Sequence, residues 1–196
     1  MIRKLCLVAC VLGLLLAVRV APAFGQDSSA AAKTFDFRSE AIVELKAAQD
    51  ELVSLAQAMP QEKYTWRPEE GVRSVSEVYL HVAAGNFGLT AIAGAPPYPG
   101  FKFQGFEKST TDKTKIIDVL NQSFDYAEKS IANMSEADMS KPLNFQGFNS
   151  VGAVVFHIVA HAHEHLGQSI AYARMNGVVP PWTAAAQQKM KQRPPQ

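Results

Sequence analysis

The sequence predicts an all-α protein, a four-helix bundle with long connections. Four segments repeat apolar residues at spacings of three and four, the period of a helix with one buried face. No segment shows the strong alternation of a half-buried strand. Two of the connections, Gly94–Thr110 and Ser135–Asn149, are long and carry Gly and Pro. Amphipathic helices joined in this way bury their stripes against one another.

The chain opens with a secretory signal pattern at residues 1–25. Met1-Ile2-Arg3-Lys4 is a short basic region, Leu5 to Val18 is apolar, and Ala21 to Gly25 supplies small residues. Cleavage is expected after Gly25, with Ala23 as the alternative. A membrane anchor fits less well, because the apolar run is shorter than the roughly 20 residues a spanning helix needs. A lipidation site at Cys10 comes too early in that run. Cleavage removes Arg3, Lys4 and Arg19 and no acids, leaving 16 basic against 18 acidic residues, a formal −2. A nucleic-acid partner normally needs a basic stripe, so none is expected. Cleavage also removes both cysteines, Cys6 and Cys10. No disulfide, thiolate ligand or cysteine nucleophile remains, so metal chemistry must use imidazole and carboxylate. The expected location is secreted or periplasmic, with no stable membrane anchor after cleavage.

Residues 26–34 are expected to be a polar, disordered leader, and the bundle is expected to span 35–182. The first helix runs from about Asp36 to Ala58, with Ile42, Leu45, Ala48, Leu52 and Leu55 inward and Pro60 beyond its end. A linker carrying Tyr64, Trp66 and Pro68 follows. Ser74 then caps the second helix, with Glu77 three residues on, a capping box. His81 lies in the middle of this helix. The Gly94–Thr110 connection holds Tyr98, Phe101, Phe103 and Phe106, which suit either a flap over a pocket or an arm packed on the bundle. The third helix runs from about Thr111 to Met134 and the fourth from about Ser150 to Asn176. Gly177 and Pro180-Pro181 mark the last stop. Residues 183–196, ending KMKQRPPQ, are expected to be a flexible C-terminal tail.

The chemistry lies in the histidines. Four of the five, His157, His161, His163 and His165, fall within nine residues of the fourth helix, and His81 is the fifth. At roughly 100° per residue, His157, His161 and His165 share about 80° of one face, whereas His163 points about 200° away from His161. Paired imidazoles at i, i+4 present two ligands on one side, and a third from another helix leaves coordination positions open. His161 and His165 supply the pair, and His81 is the natural third ligand. Neutral imidazoles suit Zn²⁺, Ni²⁺ or Fe²⁺. His157 is either a fourth ligand or a neighbour. Glu164 and Gln168 lie on or near the same face and can orient a ligand or handle a proton.

Other readings of these letters fail. His161-Ala162-His163-Glu164-His165 fits the inverted zinc-protease pattern, but no Asp or Glu follows Glu164. The H-E-x-x-H pattern from His163 fails at Gly167. A haem site lacks C-x-x-C-H, and a di-iron carboxylate site lacks its E-x-x-H pairs.

The residues resemble the DinB-like superfamily of four-helix bundles. The resemblance covers about Phe35 to Trp182 and is carried by three pieces. The first is Trp66-Arg67-Pro68 followed by Ser74-Val75-x-Glu77-x-x-x-His81-Val82. The second is His157-Ile158-Val159-Ala160-His161-x-x-x-His165-x-Gly167-Gln168. The third is Ala171-x-x-Arg174-x-x-Gly177 followed by Pro180-Pro181. Ala160 and Leu166 depart from the Asn and Arg common there. The resemblance implies an up-down-down-up bundle with a divalent metal on His81, His161 and His165, and a homodimer. Some members act on low-molecular-weight thiols, a role that export argues against.

Three functions follow as expectations: a metal-dependent hydrolase acting on a small molecule, a non-catalytic metal-binding or interaction module, and a thiol-transferase-like enzyme.

Overall fold

The computed structural model describes residues 35–193. The segments read as signal peptide and leader lie outside the described residues. Four long helices form the body: α1 (Phe37–Ala58), α2 (Val75–Ile92), α3 (Lys113–Ala132) and α5 (Val151–Met175). A single turn, α4 (Glu136–Met139), and a short hairpin, β1 (Pro142–Phe145) with β2 (Phe148–Ser150), fill the connection between α3 and α5. A terminal helix, α6 (Pro181–Lys191), follows. Among the described residues, no helix is long and apolar enough to cross a membrane.

α3 and α5 each pack against both α1 and α2. Side-chain pairs fix the directions. Lys46 faces Glu128 and Gln49 bonds Asn121, so α1 and α3 run antiparallel. Asn86 bonds Ser123, while Ala93 and Asn133 line one cleft further along, so α2 and α3 run parallel. Tyr172 bonds the Arg73 carbonyl and His161 abuts Gly85, so α5 opposes α2. The order is up-down-down-up.

The core is the sum of the predicted stripes. Leu45, Leu52 and Leu55 of α1 meet Ile116, Leu120, Phe124 and Ile131 of α3, all without solvent exposure. Val78 and Val82 of α2 and Val154, Val155 and Ile158 of α5 close the other side. Burying each such side chain contributes about 1.5–3 kcal/mol. Ile42, by contrast, is only half-buried. The end of α1 lacks a basic residue of its own, and Lys113 at the start of α3 supplies one. Its ammonium donates to the carbonyls of Gln57 (2.6 Å) and Met59 (2.9 Å), where a cation favours the helix dipole.

One connection and the C-terminal tail depart from the sequence expectation. Between β1 and β2, Gln146 and Gly147 both have positive φ (48° and 89°), as a two-residue hairpin turn requires. The strands are only four and three residues long, too short to leave an alternating signature. Most of the tail expected to be flexible, 183–196, belongs to α6. Pro181 occupies its first turn, and an alanine- and glutamine-rich run with Lys189 and Lys191 near its end favours helix. No α6 residue is buried, so no apolar stripe marked it.

Candidate metal centre

The site forms on the seam between α2 and α5. The capping box fixes where α2 begins: Ser74 N–H donates to Glu77 Oε2 (2.7 Å), and Glu77 N–H donates to Ser74 Oγ (3.3 Å). His81, two turns on, faces α5. One turn further, Gly85 leaves room. A Cβ there would stand 2.4 Å from Cε1 of His161, so the imidazole occupies the volume a side chain would fill.

His81, His161 and His165 converge, each with one ligating atom within 4.8 Å of the others'. The ring centroids are 4.5–4.9 Å apart. Nε2 of His161 lies 3.1 Å from Nε2 of His81. Two nitrogens on one tetrahedral ion, each at about 2.1 Å, stand roughly 3.4 Å apart. His161 and His165 are each only 8% exposed.

Two rings have their outer nitrogen fixed. Nδ1 of His81 donates to Glu107 Oε1 at 2.6 Å, and Nδ1 of His165 donates to Gln168 Oε1 at 2.8 Å. With the proton held on Nδ1, each Nε2 lone pair is free, the tautomer that metal-ligating histidines adopt. Nδ1 of His161 is buried without a hydrogen-bond partner. Burial, and then the neighbouring imidazoles, push the His161 pKa down to about 3. Burial also lowers His165, outweighing its bond to Gln168. Both are neutral at pH 7, as metal ligation requires. The facing Nε2 atoms of His81 and His161, beside the neutral ring of His165, fit a divalent cation.

The outer contacts close a loop. Gln168 Nε2 donates to Tyr172 Oη (3.1 Å), and that hydroxyl donates to the Arg73 carbonyl (3.1 Å). The Arg73 guanidinium grips Glu107 through Nε (2.7 Å) and Nη2 (3.2 Å). Glu107 returns to His81. Trp66 packs edge-on against Tyr172, with ring centroids 5.3 Å apart. Burial would raise the Glu107 pKa, but its bonds to Arg73 and His81 hold it below the usual carboxylate value.

The remaining sequence candidates take other positions. The ring of His157 lies 6.0 Å from that of His161 and 5.0 Å from Phe148, outside the convergent group. His163 points toward α1, 3.3 Å from Glu44. The Glu164 side chain is exposed and makes no hydrogen bond among the described residues. Gln168 holds His165.

Sequence spacing did not single out Glu107, Arg73 or Tyr172. Glu107 sits in a 3₁₀ turn, Phe106–Lys108, inside the aromatic connection. That connection is mainly an arm packed on the bundle. Tyr98 stacks on Phe87 at 4.1 Å, and Tyr126 donates to the Pro96 carbonyl. A lone carboxylate among those aromatics was the available signal. A cleft of about 580 Å³ lies outside this layer, lined in part by Arg67, Arg73, Lys108, Glu107 and Gln168. Its lining includes Glu107 and Gln168, the partners of His81 and His165, and none of the three histidines.

An all-α bundle with three converging imidazoles across one helix seam defines a class: helical proteins with a potential metal centre between helices. The profile of the DinB superfamily matches residues 44–169, a span that includes all three converging histidines. The chain belongs to the DinB superfamily. No curated protein matched the sequence.

Proposed function

We propose that the protein is an exported, divalent-metal-dependent hydrolase acting on a small molecule, with its ion held by His81, His161 and His165. The observation that carries this reading is the convergence of three ligating atoms within 4.8 Å, two of them on rings whose Nδ1 protons are already committed. A Zn²⁺, Ni²⁺ or Fe²⁺ ion there would supply Lewis acidity, acidifying water and polarising a substrate oxygen. The chain's own residues do the rest. Glu107 and Gln168 orient two of the rings, burial keeps His161 and His165 neutral, and three protein ligands leave positions open for reactants. His157, half-buried beside His161, is the residue to hold or pass a proton.

A second reading, a metal-binding module without turnover, draws on the cleft, whose lining includes Glu107 and Gln168 but none of the three histidines. One experiment separates the two. Untagged protein is analysed by metal mass spectrometry, then assayed with and without a chelator on carboxylic esters, amides, phosphoesters and thiol-linked substrates. One bound metal with chelator-sensitive hydrolysis supports the hydrolase. Thiol transfer moves the reading to the thiol-transferase-like alternative. Bound metal without turnover leaves the module, and failure to bind micromolar Zn²⁺ or Ni²⁺ overturns all three. Export rests on the pattern at residues 1–25. Finding the protein only in the cytoplasm, with an intact N-terminus, would remove it.

A further inference from the structure

The hydrogen-bonded loop around the histidines joins parts of the chain that a helix bundle has no need to join. Its member Glu107 comes from the connection between α2 and α3, not from a bundle helix. Its two carboxylate oxygens are divided. Oε1 takes the His81 Nδ1 proton and a bond from Arg73 Nη2, and Oε2 takes Arg73 Nε. Arg73 immediately precedes the Ser74 cap of α2, so the carboxylate is held from the helix that carries His81. Around it, the connection is seated by aromatic packing. Phe101 and Phe106 contact each other and Phe87 of α2, and Phe103 fills the space left by Gly88, where a Cβ would fall within 1.9 Å of its ring.

We propose that Glu107 is a positioning residue for His81, and that through it residues 94–110 and the metal centre order as one unit. This inference rests on the three-histidine reading of the site. The physical case has two parts. An ionised carboxylate at 2.6 Å from Nδ1 admits only the tautomer with the proton on that nitrogen, which leaves Nε2 as the donor to an ion. A cation drawing electron density from Nε2 makes the Nδ1–H a stronger donor, so metal binding tightens the bond to Glu107. The same bond anchors a connection that otherwise holds to α2 and α3 through aromatic faces and a few hydrogen bonds. Ordering of the connection and occupancy of the centre therefore favour each other, with equal coupling in both directions.

The test uses the full chain with Zn²⁺ as probe and compares wild type, Glu107→Ala and Glu107→Gln. Three quantities are read: Zn²⁺ affinity by calorimetry, the His81 tautomer from imidazole ¹⁵N shifts in metal-free protein, and amide exchange across residues 98–108. Glu107→Ala is expected to weaken Zn²⁺ binding about 10–100-fold, as loss of a ligand's hydrogen-bond partner does. It should also mix the His81 tautomers and speed exchange in the connection. Glu107→Gln should recover most of the affinity and the tautomer, because its amide oxygen can accept the same proton. In wild type, Zn²⁺ should slow exchange at residues 98–108, and in Glu107→Ala that slowing should shrink. An affinity within twofold of wild type in Glu107→Ala overturns the proposal. So does weakened binding with an unchanged His81 tautomer, which would make the effect structural only. If wild type binds no Zn²⁺, the three-histidine reading fails, and with it the coupling to metal. The tautomer and exchange data in metal-free protein would still decide whether Glu107 holds His81 and the connection.

Discussion

The α1–α3 seam and the α2–α5 seam share apolar helical packing but differ in the polar groups they bury. Between α1 and α3 lie leucine, isoleucine and phenylalanine side chains without exposure, and Lys113 ties the seam at one end. Between α2 and α5 lie three imidazoles, a glycine in place of a side chain, and a buried nitrogen with no partner. Apolar contacts stabilise the first seam directly. In the second, an unpaired buried polar atom costs about 1–3 kcal/mol. The contrast teaches that apolar burial runs through both helix pairs while the chemistry is confined to one, so removing an imidazole should spare the fold and a core deletion between α1 and α3 should spare the site.

The largest test removes chemistry and spares the fold. His161→Leu should abolish stoichiometric Zn²⁺ binding in calorimetry while leaving metal-free protein at least as stable to urea, because it deletes the orphaned nitrogen. A loss of stability comparable to a core deletion would break the contrast. The converse substitution is Leu52→Ala on α1. It should cost about 2–5 kcal/mol in urea unfolding, as buried leucine deletions do, with Zn²⁺ stoichiometry unchanged.

Acid should act on the chemical seam first. In the unfolded chain, histidine takes up its proton at about pH 6.5, whereas His161 in the fold is held down to about 3. Between those values the unfolded state binds more protons, so stability falls as pH falls. His165, lowered by burial, works in the same direction. Metal-free wild type should therefore lose stability from pH 6.5 to 5, before most carboxylates titrate, and His161→Leu should lose visibly less. An equal slope in both proteins would show that the buried imidazole does not govern the acid response.

The smallest test compares two glycines one turn apart on α2. Alanine favours a helix interior over glycine by about 1 kcal/mol. Gly85→Ala should gain some of that and yet weaken Zn²⁺ binding at least about tenfold, since its methyl must displace the His161 ring. Gly88→Ala meets the tip of Phe103, a ring 62% exposed and free to swing out. Its Zn²⁺ affinity should stay within a few-fold of wild type. Equal effects at the two positions would mean that the imidazole has slack the structure does not show.

Much of this architecture was legible in the chain. The four long helices announced themselves through periodic leucine, isoleucine and valine positions. Ser74 with Glu77 marked the start of α2, and Gly177, with φ 74°, marked the end of α5. The three converging histidines were also legible, because two share a helical face and the third is the only other imidazole outside the cluster. Glu107, Arg73 and Tyr172 were not. Their contacts span separations of 26, 34 and 99 residues, and helical period carries no information about what a connection brings back to a helix. Gly85 was invisible for a related reason: its role is an absence of atoms, which has meaning only once His161 is beside it.

The parallel course of α2 and α3 has a consequence for how such a site gains a wall. A chain leaving the end of an 18-residue helix must travel back about 27 Å before it can start a parallel neighbour. A tight turn cannot make that journey, so the topology itself obliges a stretch of non-helical chain to run beside α2. The carboxylate that reaches His81 rides on this return path. The neighbourhood of the histidines is thus partly a by-product of routing. Residues of the path that do not pack on Phe87 can be exchanged or recharged while the helix stripes stay as they are, which makes the return path a natural place for different chemistry to enter.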